Sequence, residues 1–353
     1  MLVCLCAWTA FANAQNIVFE DVNFRQALIA AGIDADGDGN ISTDEAEAVT
    51  ELKVSEKDIA SLKGIEAFIR LETLYCYDNQ LTELDVSHNT ALKGLFCFDN
   101  QLTALDVSHN TALQHLDCSY NQLTDLDVSN NVRLEEVSCN SNMLSKLDIS
   151  RIAGLKRLYC FGNELTAIDV SKNTNLERLS LTENELTALD VSANAGLISL
   201  HCSSNSLTML DVSNNIMLDE LVCTGNELSI LDVSSNRALT SLFCYGNRLT
   251  ALDLSKNAGL KELYCYDNLL KTLDVSNNTF LKRLYCYDNQ LTELWMKNVS
   301  DEIDIDFCDN PNLAFICVDN LLLPKIQEYI NFRNIGNNPA VTSDCNANKK
   351  TVK

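Results

Sequence analysis

From Leu71 onward the apolar positions of this chain return every 21 residues. The first clear copy, LETLYCYDNQLTELDVSHNTA, runs from Leu71 to Ala91, and the next, LKGLFCFDNQLTALDVSHNTA, starts at Leu92. The same frame opens at Leu113, Leu134, Leu155, Leu176, Leu197, Leu218, Leu239, Leu260 and Leu281, which makes eleven copies. A fixed period of this length predicts a solenoid, in which one coil cannot bury its apolar side alone and stacked coils build a continuous core. In the copy at Leu260 the apolar positions are Leu260, Leu263, Cys265, Leu270, Leu273 and Val275. Leu263-Tyr264-Cys265 alternates in, out, in, and Leu273-Asp274-Val275 does the same. Each coil is therefore expected to carry two short strands joined by tight turns.

Polar residues also recur. Asn79, Asn100, Asn121, Asn247, Asn268 and Asn289 follow the first strand, where their side chains can hydrogen-bond turn backbone that would otherwise be buried unpaired. A second Asn column, from Asn89 to Asn278, is expected to do the same on the other side. Its interruption at Ile152 predicts a different turn in that coil. Of the 15 cysteines, Cys76, Cys97, Cys118, Cys139, Cys160, Cys202, Cys223, Cys244, Cys265 and Cys286 occupy one apolar column, and Leu181 fills its gap. A position that accepts Leu is a core position, so these read as free buried thiols. A metal-ligand role is disfavoured, since one Cys per coil makes no tetrahedral cluster.

The unit, LxxLxCxxNxL followed by LxxLDVSxN, resembles a leucine-rich repeat of the bacterial 21-residue class, over roughly residues 49–318. The resemblance implies a mainly β repeat solenoid with caps at both ends, a ligand-facing surface on the outward positions of the first strand, and binding rather than catalysis. Residues 49–70 form a degenerate capping coil, 71–302 the eleven repeats, and 303–345 a degenerate repeat with a C-terminal cap. Pro324 is placed to start a short helix to about Phe332 over the open end. Cys317 and Cys345 lie outside the column, in a chain read as exported, and are expected to pair. The tail, 346–353, is polar.

The N-terminal 48 residues are different. Residues 1–14, MLVCLCAWTAFANA, read as a signal peptide with an apolar run from Leu2 to Phe11 and a small-residue cleavage site ending at Ala14. No Lys or Arg precedes the run, which leaves room for a start further upstream, and a buried N-terminal strand is the alternative. Residues 15–48 read as helix, loop, helix. Asp21 is a candidate N-cap, and Phe24, Ala27, Leu28 and Ala31 make an apolar face. The loop DADGDGNISTDE, Asp34 to Glu45, matches the EF-hand pattern and resembles a single EF-hand or dockerin-type module. Asp34, Asp36 and Asp38 offer carboxylate oxygens, Asn40 its carbonyl and Ser42 a direct or water-mediated contact. Glu45 would close the site, and Gly39 permits the turn. One structural Ca²⁺ is expected, the bland alternative being an acidic loop that binds nothing.

The net charge of −23 disfavours nucleic acid and anionic membrane surfaces as partners, and no mature segment is long and apolar enough to span a bilayer. Outward positions carry aromatic pairs: Tyr75 and Tyr77, Phe96 and Phe98, Tyr159 and Phe161, Phe243 and Tyr245, Tyr264 and Tyr266, Tyr285 and Tyr287. At about 4.8 Å per coil, the last three pairs are expected to form a flat, exposed patch of the kind that marks binding surfaces. Asp78, Asp99, Asp267 and Asp288 are placed to accept hydrogen bonds from a ligand. A stacking ladder that steadies neighbouring strands is a compatible alternative. The Asp85 to Asp274 column is expected to be satisfied by Ser and Thr of neighbouring coils, with bound cations a minority reading. His88 and His109 make a poor metal site, and no nucleophile elbow, phosphate loop or HExxH motif is present. The leading expectation is a secreted or surface-exposed, monomeric, non-enzymatic binding protein for a protein or glycan. A structural spacer and a glycan-active enzyme are the alternatives.

Overall fold

A computed structural model describes residues 15–333, 335 and 338–345. The leader read at 1–14 and the tail at 346–353 lie outside the described residues. The chain divides into two compact units, Met1–Gln122 and Leu123–Lys353. The division falls inside the repeat frame, not at a boundary read from the sequence. In an array whose coils touch only their neighbours, no residue type need mark such a division.

In the first unit, α1 (Val22–Ala30) and α2 (Thr43–Glu47) precede four parallel strands. The Oδ1 of Asp21 accepts from the N–H groups of Asn23 and Phe24 and caps α1. Its Oδ2 accepts from Ala60 and Ser61 of the first coil, so one carboxylate ties helix to solenoid. Phe24, Ala27 and Leu28 are buried, whereas Ala31 is the exposed C-cap, because α1 ends a residue before it. The strands β1 (Glu51–Lys53), β2 (Thr73–Tyr75), β3 (Gly94–Phe96) and β4 (His115–Asp117) pair in register through Leu52, Leu74, Leu95 and Leu116. Gly64, at φ +106°, lets Phe19 pack so closely that a Cβ there would lie 2.7 Å from its ring.

The second unit repeats the scheme. Its first sheet is built of β5 (Glu136–Ser138), β6 (Arg157–Tyr159), β7 (Arg178–Ser180), β8 (Ser199–His201), β9 (Glu220–Val222), β10 (Ser241–Phe243) and β11 (Glu262–Tyr264). A second-side strand, β12 (Thr272–Asp274), comes before the next member of that sheet, β13 (Arg283–Tyr285), and β14 (Glu293–Met296) before its last, β15 (Asp304–Asp306). Then β16 (Phe315–Val318), helix α3 (Leu323–Arg333) and β17 (Ala340–Thr342) complete the chain. The described strands pair in parallel, and β12, β14, β16 and β17 form a four-stranded sheet of their own. Cys317 of β16 is joined to Cys345 by a disulfide, their Cα atoms 5.6 Å apart.

The expectation of two strands in every coil is corrected here. Elsewhere in the second unit the DVS segment forms no named strand, and in the first unit it shows an isolated bridge, Asp85 to Asp106. In these segments Asp accepts the N–H of the Ser two residues on, as Asp85 does from Ser87 at 2.9 Å, and Asp274 at the end of β12 makes the same bond with Ser276, so this bond alone does not decide whether a strand forms. A ladder forms where β14 replaces DVS with Trp295-Met296 and offers a longer partner, its Trp295 carbonyl accepting from the N–H of Val275. The same bonds revise the Asp column: each acid accepts from the Ser of its own coil, and Ser87 and Ser108 hydrogen bonds depress the Asp85 and Asp106 carboxyls.

The coil at Ile152 does not turn differently. Ile152 N–H donates to Ile149 and its carbonyl accepts from Leu155, the same pair of bonds that Asn173 makes with Val170 and Leu176. Ile152 is fully buried, so the turn needs backbone bonding and a filled interior more than it needs the amide. The cysteines Cys76, Cys97, Cys118, Cys139, Cys160, Cys202, Cys223, Cys244, Cys265 and Cys286 are free and buried. At the next coil Phe307 takes the column position, and Cys308 is displaced to a half-exposed place beside it.

Candidate ligand-binding pocket

The outward aromatic residues stand where strand alternation puts them, but their rings lie against one another. In the first unit Tyr75 stacks on Phe96 at 4.8 Å and 7°, and Tyr77 on Phe98 at 4.4 Å and 6°. In the second, Tyr245, Tyr266 and Tyr287 form one continuous stack, with centroids 4.2 and 4.3 Å apart. Phe243 stacks on Tyr264 at 4.7 Å. Tyr159 and Phe161 are half-buried on and just after β6, away from these stacks. Stacking hides ring faces and leaves edges outward, so the expected flat, exposed patch is instead a half-buried ladder. Burial and the neighbouring Tyr245 and Tyr287 hydroxyls raise the Tyr266 phenol above its ordinary value. Asp78, Asp99, Asp267 and Asp288, expected to serve a ligand, all hold left-handed φ between 50° and 54°. Their place in the repeat is set by the turn, where Asp, Asn and Gly are tolerated best.

The ladder ends in a pocket. Tyr285 turns edge-on to Tyr264, at 4.8 Å and 88°, and its hydroxyl donates to the Asp304 carboxylate. That bond to a carboxylate pushes the Tyr285 phenol up to about 12. The residue after Tyr285 in register is Asp306, so no further ring continues the row. Helix α3 buries Ile326 and Ile330 and brings the Tyr329 ring 4.7 Å from Phe307 of this coil. Tyr329 donates its hydroxyl proton to Asp306 Oδ1 at 2.6 Å, and Arg333 donates to Asp306 Oδ2 at 3.3 Å. Burial pushes the Asp306 carboxyl up, but the Tyr329 and Cys308 donors and the Arg333 charge more than offset it, so Asp306 sits below the usual range. The Lys325 ammonium donates to the Ile303 and Asp301 carbonyls at 2.7 and 3.1 Å. Between the last tyrosines and α3 lies a cavity of about 750 Å³, bounded by Tyr264, Tyr266, Tyr285 and Tyr287 on one side and Tyr329, Phe332 and Arg333 on the other. Phe332 is 82% exposed at its rim.

Four of the twelve aromatic residues picked out from the sequence thus meet in a concave site. The remaining walls were not among them. Two signals could have found those walls. Asp306 stands 21 residues after Tyr285 in the repeat frame. Tyr329, Phe332 and Arg333 share one face of α3 by their spacing of three and four.

The acidic loop of the first unit is a second candidate. One oxygen from each of Asp34, Asp36 and Asp38 lies within 4.8 Å of the others. The loop is shaped by its own acids: Gly37 and Gly39 donate N–H to Asp34, Asp38 to Asp36, and Asn40 to Asp38. Glu45 Oε1 accepts from Ala35 N–H at 2.7 Å, which brings the acid from α2 to the loop entrance. The Ser42 hydroxyl donates to Glu45 and accepts from Glu45 N–H, so it caps α2. Ile41 is buried, and the segment at Asn16 pairs antiparallel with Ser42, Ile17 N–H donating to Ile41 and Thr43 N–H to Gln15. An all-oxygen, carboxylate-rich set fits a hard cation such as Ca²⁺.

No protein-family model and no curated protein matches the chain. Among solved structures it is similar to the functional domain of InlJ from Listeria monocytogenes, described as including a cysteine ladder, with 32% identity and a TM-score of 0.71 over 84% of this chain and 75% of that one. An internalin, InlF, from Listeria monocytogenes is 22% identical with a TM-score of 0.74, over 86% of this chain and 90% of that one. The ectodomain of the plant receptor kinase GASSHO1/SCHENGEN3 from Arabidopsis thaliana, in complex with Casparian strip integrity factor 2, is 21% identical with a TM-score of 0.63, over 75% of this chain and 36% of that one. The last two show the fold alone. Among the described residues no helix is long and apolar enough to cross a membrane.

Proposed function

This chain belongs to the bacterial leucine-rich repeat proteins with a 21-residue coil, and on that premise we propose that it is a secreted or cell-surface, monomeric binding protein that holds a protein or glycan ligand in the pocket between Tyr285 and α3. The observation that carries the reading is the interrupted ladder: Tyr285 turns away from its stack beside a concave site whose rim leaves Phe332 82% exposed. Inside a stack a ring is used up in stabilising its neighbours. A large aromatic side chain left at a pocket rim is instead available to a partner. The similarity to InlJ is compatible with a general binding role. Asp306 accepts from Tyr329 and Arg333 and so is engaged within the fold. The loop from Asp34 to Glu45 holds one structural Ca²⁺ in this reading, with Asp34, Asp36, Asp38 and Glu45 as the acidic ligands and Asn40 contributing its carbonyl.

The test is a panel of immobilised glycans and secreted proteins, read with the mature chain and with the Phe332→Ala and Tyr77→Ala variants. The expected result is a ligand whose binding falls about tenfold in Phe332→Ala, the loss of one well-placed aromatic contact, and stays unchanged in Tyr77→Ala. Ligands that bind both variants like the parent chain would remove the pocket from the function.

A further inference from the structure

Resting on the reading of this pocket as the ligand site, we infer that its occupant is a basic side chain, lysine or arginine, presented by a protein partner. The argument begins with what hydrogen-bonding capacity remains. Lys325 is engaged by two carbonyls, Arg333 by Asp306, and the Tyr285 and Tyr329 hydroxyls by Asp304 and Asp306. These bonds engage part of the pocket's donor capacity within the fold, while the Tyr264, Tyr266 and Tyr287 hydroxyls and the remaining N–H groups of Arg333 also face the site. Acceptors remain: the carboxylates of Glu302 and Asp304 are exposed, and no cation among the described residues pairs with either. A sugar hydroxyl needs donors and acceptors together, whereas an ammonium or guanidinium group needs acceptors alone.

The rings point the same way. The turned Tyr285 and the rim Phe332 offer π surface beside those carboxylates, and a cation over a ring is attracted by its quadrupole. The chain already holds cations over rings in this way, with the Lys53 ammonium 5.6 Å from the ring centre of Tyr75 on the repeat face and the Arg333 guanidinium 5.7 Å from that of Tyr329 on α3. A net charge of −23 would also speed the approach of a basic partner at low salt.

The experiment titrates the full mature chain with acetyl-Gly-Arg-Gly-Arg-Gly-amide, with the same peptide carrying neutral citrulline for arginine, and with cellohexaose, following tyrosine ring resonances. The arginine peptide should bind at least about fivefold more tightly than the citrulline peptide, and lose about fivefold in Phe332→Ala, which leaves net charge unaltered, and again in Glu302→Gln. The Phe332 variant separates the pocket from general attraction to an acidic surface, and the exposure of both residues keeps folding intact. Equal binding of the arginine and citrulline peptides, or of the parent and Phe332→Ala chains, overturns the inference. If cellohexaose alone binds and is lost in Phe332→Ala, the pocket stands as a ligand site and the basic occupant fails. If neither ligand responds to Phe332→Ala, the pocket reading fails with it.

Discussion

Asn226 closes its coil with one amide. Its Nδ2 donates to the carbonyls of Cys202, Cys223 and Thr224 at 3.0, 3.2 and 3.2 Å, and its Oδ1 accepts from Leu207 N–H at 3.0 Å. Removing the amide leaves several buried backbone groups without partners. Asn226→Ala is therefore expected to cost about 3 kcal/mol, since each unpaired buried group costs roughly 1–3 kcal/mol. Urea unfolding measures it, and a loss within error of zero would mean that water replaces the amide. The cysteines make a second prediction at this scale. Burial raises the thiols of Cys97, Cys223, Cys244 and Cys265 well above their ordinary 9.0, and that of Cys202 to about 12. A raised folded value means that the folded chain keeps protons which the unfolded chain releases. Their contribution is then complete below about pH 9, and it is lost as pH rises from there toward the folded values. Each such thiol removes up to about 1.4 kcal/mol per pH unit in that window. Under reducing conditions the urea midpoint should fall steeply above about pH 9, and less steeply when Cys223 and Cys244 are replaced by Ala. A midpoint flat to about pH 10.5 would contradict the burial of the column.

Among the elements, the first strands and their turns were legible because one residue type fills one role in coil after coil. Asn, Cys and the flanking Leu each repeat at positions fixed by alternation, and Leu181 identified the thiols as core. The second strand was not legible, since Leu-Asp-Val alternates alike in coil after coil, while β12 forms beside β14, where Trp295-Met296 replaces the DVS segment of the next coil. The pocket was legible only in half. Its tyrosines lie in the repeat, but α3 reaches the site through the contacts of Tyr329 with Phe307 and Asp306, which no local period encodes. Helix α1 was legible from its cap, and the structure adds that Asp21 also holds Ala60 and Ser61. Burial pushes the Asp21 carboxyl up, yet its four backbone donors bring it below the usual range. Asp21→Ala should therefore act twice, uncapping α1 and freeing it from the first coil. A cap alone is worth about 1 kcal/mol. The measurement is hydrogen exchange over residues 22–30, which should speed up in the variant while residues 94–96 keep their rates. Equal rates at 22–30 would show that Phe24 and Leu28 hold the helix without the cap.

For the whole molecule, the governing fact is that energy is shared only between neighbouring coils. Calcium binding at the loop from Asp34 to Glu45 is proposed to act within that limit. Without a cation, the Asp34, Asp36 and Asp38 oxygens, within 4.8 Å of each other, repel. The helices they join bury only Phe24, Ala27, Leu28 and Ala46, too little apolar surface for two short helices to hold unaided. Chelation should therefore loosen residues 20–50, including the Asn16 to Ser42 pairing, and leave the remaining coils as they were. Glu45→Gln should weaken calcium binding and mimic part of the chelator's effect. Glu45 also accepts from Ala35 and Ser42, bonds that hold its carboxyl below the ordinary value. In the parent chain Glu45 should therefore keep its charge to a lower pH than an ordinary carboxylate. Hydrogen exchange with and without chelator decides the matter. Unchanged protection at residues 20–50 would refute a structural cation, and loss of protection as far as residue 290 would refute the locality.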